Sequence, residues 1–89
     1  MAQEAKIEKR LKKRIEEDLN GLCLKILCNH FSGFPDRMCL LPKGRLIFVE
    51  LKAPGEKPSK LQLLIHRKLS NLGFNILVID SKEKVDALC

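Results

Sequence analysis

Tryptophan and tyrosine are absent from this sequence, and four phenylalanines are its only aromatic residues. No apolar run approaches the roughly 20 residues that a membrane-spanning helix needs, so no span is expected. The opening Met1-Ala2-Gln3-Glu4-Ala5-Lys6 turns charged at once and lacks the apolar stretch of a secretory signal. The four cysteines, Cys23, Cys28, Cys39 and Cys89, form no CxxC pair, and His30 and His66 fall in no zinc-finger spacing. Disulfides and a zinc site are therefore not expected. The cysteines read as small buried apolar side chains or free thiols in a reducing cytosol. Repeats, low-complexity segments and linkers are missing too, so residues 1–89 read as a single domain.

What the chain has in plenty is positive charge. Seventeen Lys and Arg stand against eleven Asp and Glu, a net +6 over 89 residues. Such a surplus favours a polyanion, nucleic acid first and an anionic membrane surface second. With 45% hydrophobic and 31% charged residues, the composition is that of a folded globular chain.

Periodicity divides the chain into seven elements. Ile7, Leu11, Ile15 and Leu19 recur every four positions, which predicts an amphipathic helix over 3–20, closed by Asn20-Gly21. The apolar stretch Leu22–Cys28 is short and reads as a strand, followed by a loop holding Gly33 and Pro35. Strands Asp36–Leu41 and Arg45–Lys52 flank Pro42-Lys43-Gly44, which suggests a three-residue hairpin loop. Pro42 presets the first position of a type I turn there, and Gly44 takes a left-handed glycine bulge. After the loop 53–58, Ser59 caps a helix running to about Leu72, with Gln62 completing a capping box and Gly73 ending it. Phe74–Asp80 is an apolar strand of the kind covered on both faces, and Lys82–Leu88 a short closing helix. The order α-β-β-β-α-β-α, with a right-handed crossover through the second long helix, gives an α/β fold with a mixed four-stranded sheet flanked by helices.

The hairpin loop length has a chemical consequence. A three-residue loop sets Leu41 across from Arg45 and therefore Asp36 across from Glu50, with Cβ atoms about 4.5–5.5 Å apart. Lys52 then points to the same side of the sheet as Glu50. A two-residue loop would split the two acids between faces. Like charges that close repel unless a cation lies between them. Oxygen ligation by Asp36 and Glu50, with the Leu51 carbonyl as a third donor, suits Mg²⁺ or Mn²⁺ rather than zinc. A metal there binds a phosphate oxygen and activates water, while Lys52 positions that water or stabilises transition-state charge. These are the parts of a phosphodiester hydrolase.

The same residues carry a resemblance. Pro35-Asp36, then Glu50-Leu51-Lys52, resembles the PD-(D/E)xK nuclease signature. The fuller string, Gly33-x-Pro35-Asp36-Arg37, Phe48-Val49-Glu50-Leu51-Lys52-Ala53-Pro54, Gln62, His66 and Asn71-Leu72-Gly73-Phe74, is similar to the VRR-NUC family, in its small stand-alone phage and bacterial form. The resemblance implies a restriction-endonuclease-like fold. It also implies a Mg²⁺- or Mn²⁺-dependent, structure-selective DNA endonuclease, similar to Holliday-junction resolvases and acting as a homodimer in the cytoplasm of a host cell. Asp36 and Glu50 match the metal-binding acids and Lys52 the catalytic lysine. Gln62 matches the family glutamine that holds a water or phosphate. A helix-one glutamate completes such sites; Glu4 and Glu8 both fit, and Glu8 is favoured because Leu11 and Ile15 follow it at the right spacing.

Plainer roles compete. Gln62 is also explained by the capping box alone, and His66 reads as a semi-exposed histidine one turn further along. Lys25 either approaches the acids or leaves at the sheet edge. Phe31 and Phe34, in so aromatic-poor a chain, are assigned to core packing rather than base stacking. The lysines of helix one read as a solvated face. The rival reading of the whole chain is a basic nucleic-acid-binding module without catalysis.

Overall fold

A computed structural model describes residues 2–28 and 30–89. Helix α1 (Ala2–Lys13) leads through a π-helical turn (Arg14–Asp18) into strand β1 (Leu22–Lys25). Strands β2 (Arg37–Leu41) and β3 (Arg45–Leu51) form the hairpin around Pro42–Gly44. Helix α2 (Lys60–Asn71), strand β4 (Asn75–Ile79) and helix α3 (Lys82–Asp86) complete the chain. The sheet order is β1-β2-β3-β4, antiparallel except for the parallel β3–β4 pair that α2 bridges. This is the expected element order and mixed sheet. Among the described residues no helix is long and apolar enough to cross a membrane.

Two cores sandwich the sheet. On one face Ile7, Leu11 and Ile15 of α1 pack on Cys23, Cys39, Val49, Leu51 and Ile79, joined by Val85 of α3. On the other, Ile65 and Leu69 of α2 pack on Phe48. Alternation along β3 thus sends Val49 and Leu51 to the α1 side, and Phe48 and Glu50 to the α2 side.

Three local expectations are corrected. The last turn of the first helix is π-helical, with the Leu19 N–H reaching the Arg14 carbonyl at 3.0 Å. A strict four-residue stripe drifts about 40° per step on a helix of 3.6 residues per turn. The wider turn rotates less per residue, and Leu19 stays packed against the core. At the hairpin Lys43 (φ 66°) as well as Gly44 (φ 73°) is left-handed, so the loop has three residues but is not a type I turn with one bulge. Two consecutive positive-φ residues match the twist of the strands they join. Finally, β1 stops at Lys25 rather than Cys28. One further bond, from the Ile26 N–H to the Asp36 carbonyl (2.9 Å), ends the pairing where β2 begins.

Gly33 shows why the loop before the acids is shaped as it is. Its φ is +86°, and a Cβ there would lie 3.0 Å from Leu61 Cγ and 3.2 Å from Ile65 Cγ1. Only a residue without a side chain lets this loop lie against α2 in a left-handed conformation. That packing delivers buried Pro35 and then Asp36 to the head of β2.

Candidate active site

Each β2–β3 pair keeps the three-residue-loop register, from Leu41↔Arg45 to Arg37↔Val49. Its next step sets Asp36 across from Glu50, and the one after sets Pro35 across from Leu51. Asp36 lies just before the strand proper, and its Oδ2 accepts the Leu51 N–H at 2.8 Å. The Lys52 N–H donates to the Ile79 carbonyl of β4 at 3.0 Å. Since N–H and C=O of one strand residue leave on the same side, the Leu51 carbonyl faces away from β4, towards Asp36. Pro35 has no N–H to offer that carbonyl, so a ladder donor is missing where a metal would need an oxygen.

Glu50 is 1% exposed, on the α2 side of the sheet. Its Oε2 accepts from Gln62 Nε2 at 3.1 Å and lies 3.5 Å from Lys52 Nζ. Its Oε1 is buried and, among the described residues, has no hydrogen-bond partner; it lies 3.7 Å from His66 Nε2, which has none among them either. Burial foremost, then the charge and side-chain hydrogen bond of Asp36, push the Glu50 carboxyl up to about 7, while Lys52 pulls it down. Burial foremost, and then Lys52, hold the His66 imidazole below its ordinary value. At neutral pH the histidine is therefore neutral and the Glu50 carboxyl only about half ionised, so the two do not form an ion pair.

The structure thus brings together Asp36, Glu50, Leu51, Lys52 and Gln62. Gln62 forms the capping box weighed for it and in addition reaches Glu50. Its Oε1 accepts the Ser59 N–H at 2.8 Å as the capping box requires, and its Nε2 holds Glu50. His66 is the residue underrated by sequence reasoning: it is buried at 9% exposure rather than semi-exposed. Its position one turn after Gln62 was the available signal.

Glu8 is not placed with these residues. Its carboxylate pairs with Arg37, whose side chain shares the α1 face with Cys39 and Leu41. Glu4 is half-buried on the same helix. Among the described residues no three His, Cys, Asp or Glu side chains converge as a metal-holding group. Lys25, across from Arg37 on edge strand β1, is exposed on that same α1 side, away from the acids. Of the two phenylalanines assigned to core packing, Phe34 packs against the Phe48 cluster as expected, whereas Phe31 is half exposed, at the end of an edge-to-face series Phe31–Phe34–Phe48–Phe74 with centroids 5.5–5.8 Å apart.

The donor set fits a hard divalent cation. A buried carboxylate oxygen with no partner among the described residues, a second carboxylate close enough to raise its pKa, and a backbone carbonyl facing that second acid are all oxygen donors. Acids gathered at the open end of a β-hairpin, with a lysine two residues after the second, define the restriction-endonuclease-like class of folds.

No protein-family model matches the chain. A solved structure described as a VRR_NUC domain superposes with a TM-score of 0.87 at 36% identity, over 94% of this chain and 90% of that one. A curated relative, "Putative nuclease p44" of Acyrthosiphon pisum secondary endosymbiont phage 1, is 41% identical over 83 residues, 93% of this chain and 88% of the relative. The chain belongs to the VRR-NUC family.

Proposed function

We propose that this protein is a nuclease that hydrolyses DNA phosphodiester bonds with Mg²⁺ or Mn²⁺, selects branched DNA such as four-way junctions, and works as a homodimer. The observation that carries the reading is the buried Glu50 carboxylate, with one oxygen held by Gln62 and Lys52 and the other unpartnered, beside Asp36. A structural acid at this depth would have both oxygens satisfied. The family relationship and the net charge of +6 support the same conclusion.

Glu50 Oε1, the Asp36 oxygen not bound to Leu51, and the Leu51 carbonyl are the atoms that would hold the metal. When bound, the ion supplies positive charge to a phosphate oxygen and lowers the pKa of the attacking water. Lys52, only partly exposed, places its ammonium beside Glu50 and answers negative charge growing on the phosphate. Gln62 fixes the Glu50 rotamer from a helix that is itself capped through the same amide. His66, neutral, closes the inner side of Glu50 against water. Glu8 acts at one remove in this scheme, by neutralising Arg37 next to Asp36.

The two-fold character of a four-way junction matches a C2 pair of one-site subunits. Exposed Leu27, Leu72 and Phe31 leave apolar surface for such a contact. The test is cleavage of labelled four-way junction, flap and linear duplex in Mg²⁺ and in Mn²⁺, beside Asp36→Asn and Lys52→Ala. Metal-dependent products from the wild type alone, most from branched DNA, are expected. Binding without products in either metal would instead establish the non-catalytic module.

A further inference from the structure

The lysines of α1 are not one uniform solvated face. Lys6, Lys9, Arg10 and Lys13 meet Lys82, from the start of α3, around a groove of about 260 Å³ whose lining among the described residues holds no acid. Arg10 is occupied by Asp86, through bonds of 2.8 and 2.7 Å. None of the four lysines takes part in an ion pair among the described residues. A neighbouring hollow shares Lys9 and Lys13 and adds Lys12, Glu16 and Glu17, so the cations are least balanced towards Lys6 and Lys82. Folding therefore sorts the charge, bringing together cations 69 or more residues apart in sequence, Lys13 and Lys82 being the nearest.

The groove's position gives it meaning. Helices α1 and α3 cover the sheet face of Cys39, Val49 and Leu51, whereas Glu50 is held from the opposite face by α2. The sheet therefore separates these lysines from the face on which Glu50 is held. We infer that the groove of Lys6, Lys9, Lys13 and Lys82 grips the phosphate backbone of a second DNA arm, one that leaves the branch point and passes behind the sheet. Lys6 to Lys13 spans about 10 Å of helix, over which one strand presents about three phosphates. The inference rests on the branched-DNA reading above and supplies its physical basis: affinity for shape comes from two faces engaged at once.

The test measures binding, in EDTA, of a four-way junction and of a linear duplex of equal length, by fluorescence anisotropy at several salt concentrations. The proteins are the wild type, a quadruple variant (Lys6→Gln, Lys9→Gln, Lys13→Gln, Lys82→Gln) and the matching quadruple arginine variant. The glutamine variant is expected to lose at least tenfold of its preference for junction over duplex. Its log–log salt slope for the junction is expected to shrink by about 3, at about 0.9 per phosphate contact. The arginine variant keeps both, which separates lost charge from lost folding. Equal weakening on both DNAs overturns the proposal in favour of diffuse attraction, as does no change on either. Loss of binding to phosphatidylglycerol vesicles with junction binding intact overturns it in favour of a membrane surface. No divalent metal is present, so the outcome does not depend on whether the chain cleaves. A failed cleavage assay leaves this result standing, and the reverse holds too.

Discussion

Gln62 donates from Nε2 to Glu50 Oε2 across 3.1 Å, joining the first turn of α2 to the buried acid of β3. The other end of the same amide accepts the Ser59 N–H, so helix capping and acid placement share one side chain. Separating them gives a prediction. Ser59→Ala removes only the cap and costs about 1 kcal/mol in a urea melt, with cleavage rates within a few-fold of wild type. Gln62→Ala loses a similar amount of stability and also lets Glu50 turn, so its single-turnover rate falls by at least tenfold more than that of Ser59→Ala.

A second prediction concerns pH. The folded Glu50 carboxyl titrates near 7, above its ordinary 4.5, so the folded state binds its proton more tightly than the unfolded state. The metal-free protein therefore gains stability from this group at low pH. It loses that contribution as pH rises from about 4.5 through 7, on the order of 3 kcal/mol in all. Glu50→Gln flattens this part of the profile. Saturating Mg²⁺ restores the wild-type stability at pH 8, as ligand linkage requires. Chemical denaturation at pH 5 and pH 8, with and without Mg²⁺, checks each arm.

Lys52→Met keeps most of the apolar stem and deletes the ammonium 3.5 Å from Glu50. Cleavage is expected to drop by about 10²–10³ fold, the scale for one lost transition-state donor. Because Lys52 holds the Glu50 carboxyl down, the apparent pKa in the rate profile moves up in any residual activity.

The thiols give a check on the fold itself. Cys23 and Cys39 face each other across β1 and β2, buried beneath α1, while Cys28 and Cys89 are exposed. A thiol reagent is expected to titrate two cysteines quickly in the native protein and all four in denaturant. Rapid reaction of all four under native conditions would mean that α1 does not cover the sheet.

Most of this architecture was legible because local signals agreed with one another. The Ile7–Leu11–Ile15 stripe, the Ser59–Gln62 box and the three-residue loop each mark one element, and the loop length alone sets the register that pairs Asp36 with Glu50. What escaped depends on contacts distant in sequence. The one-turn spacing from Gln62 puts His66 on the same face of α2 without showing its burial against Glu50, and nothing near Glu8 shows that Arg37, on the α1 face of the sheet, occupies it. The sorting of the helix-one lysines was equally hidden, since Lys82 joins them only through the packing of α3. The left-handed Lys43 is a case of strand twist overriding a residue's own preference.

The most direct measurement is a Mn²⁺ titration of the protein without DNA, following the free-ion signal by electron paramagnetic resonance. The wild type is expected to take up the ion stoichiometrically, with Asp36→Asn and Glu50→Gln each weakening uptake by at least tenfold while the fold persists. Equal uptake by all three proteins, or none by the wild type, would contradict the assignment of this acid pair as the metal-holding centre.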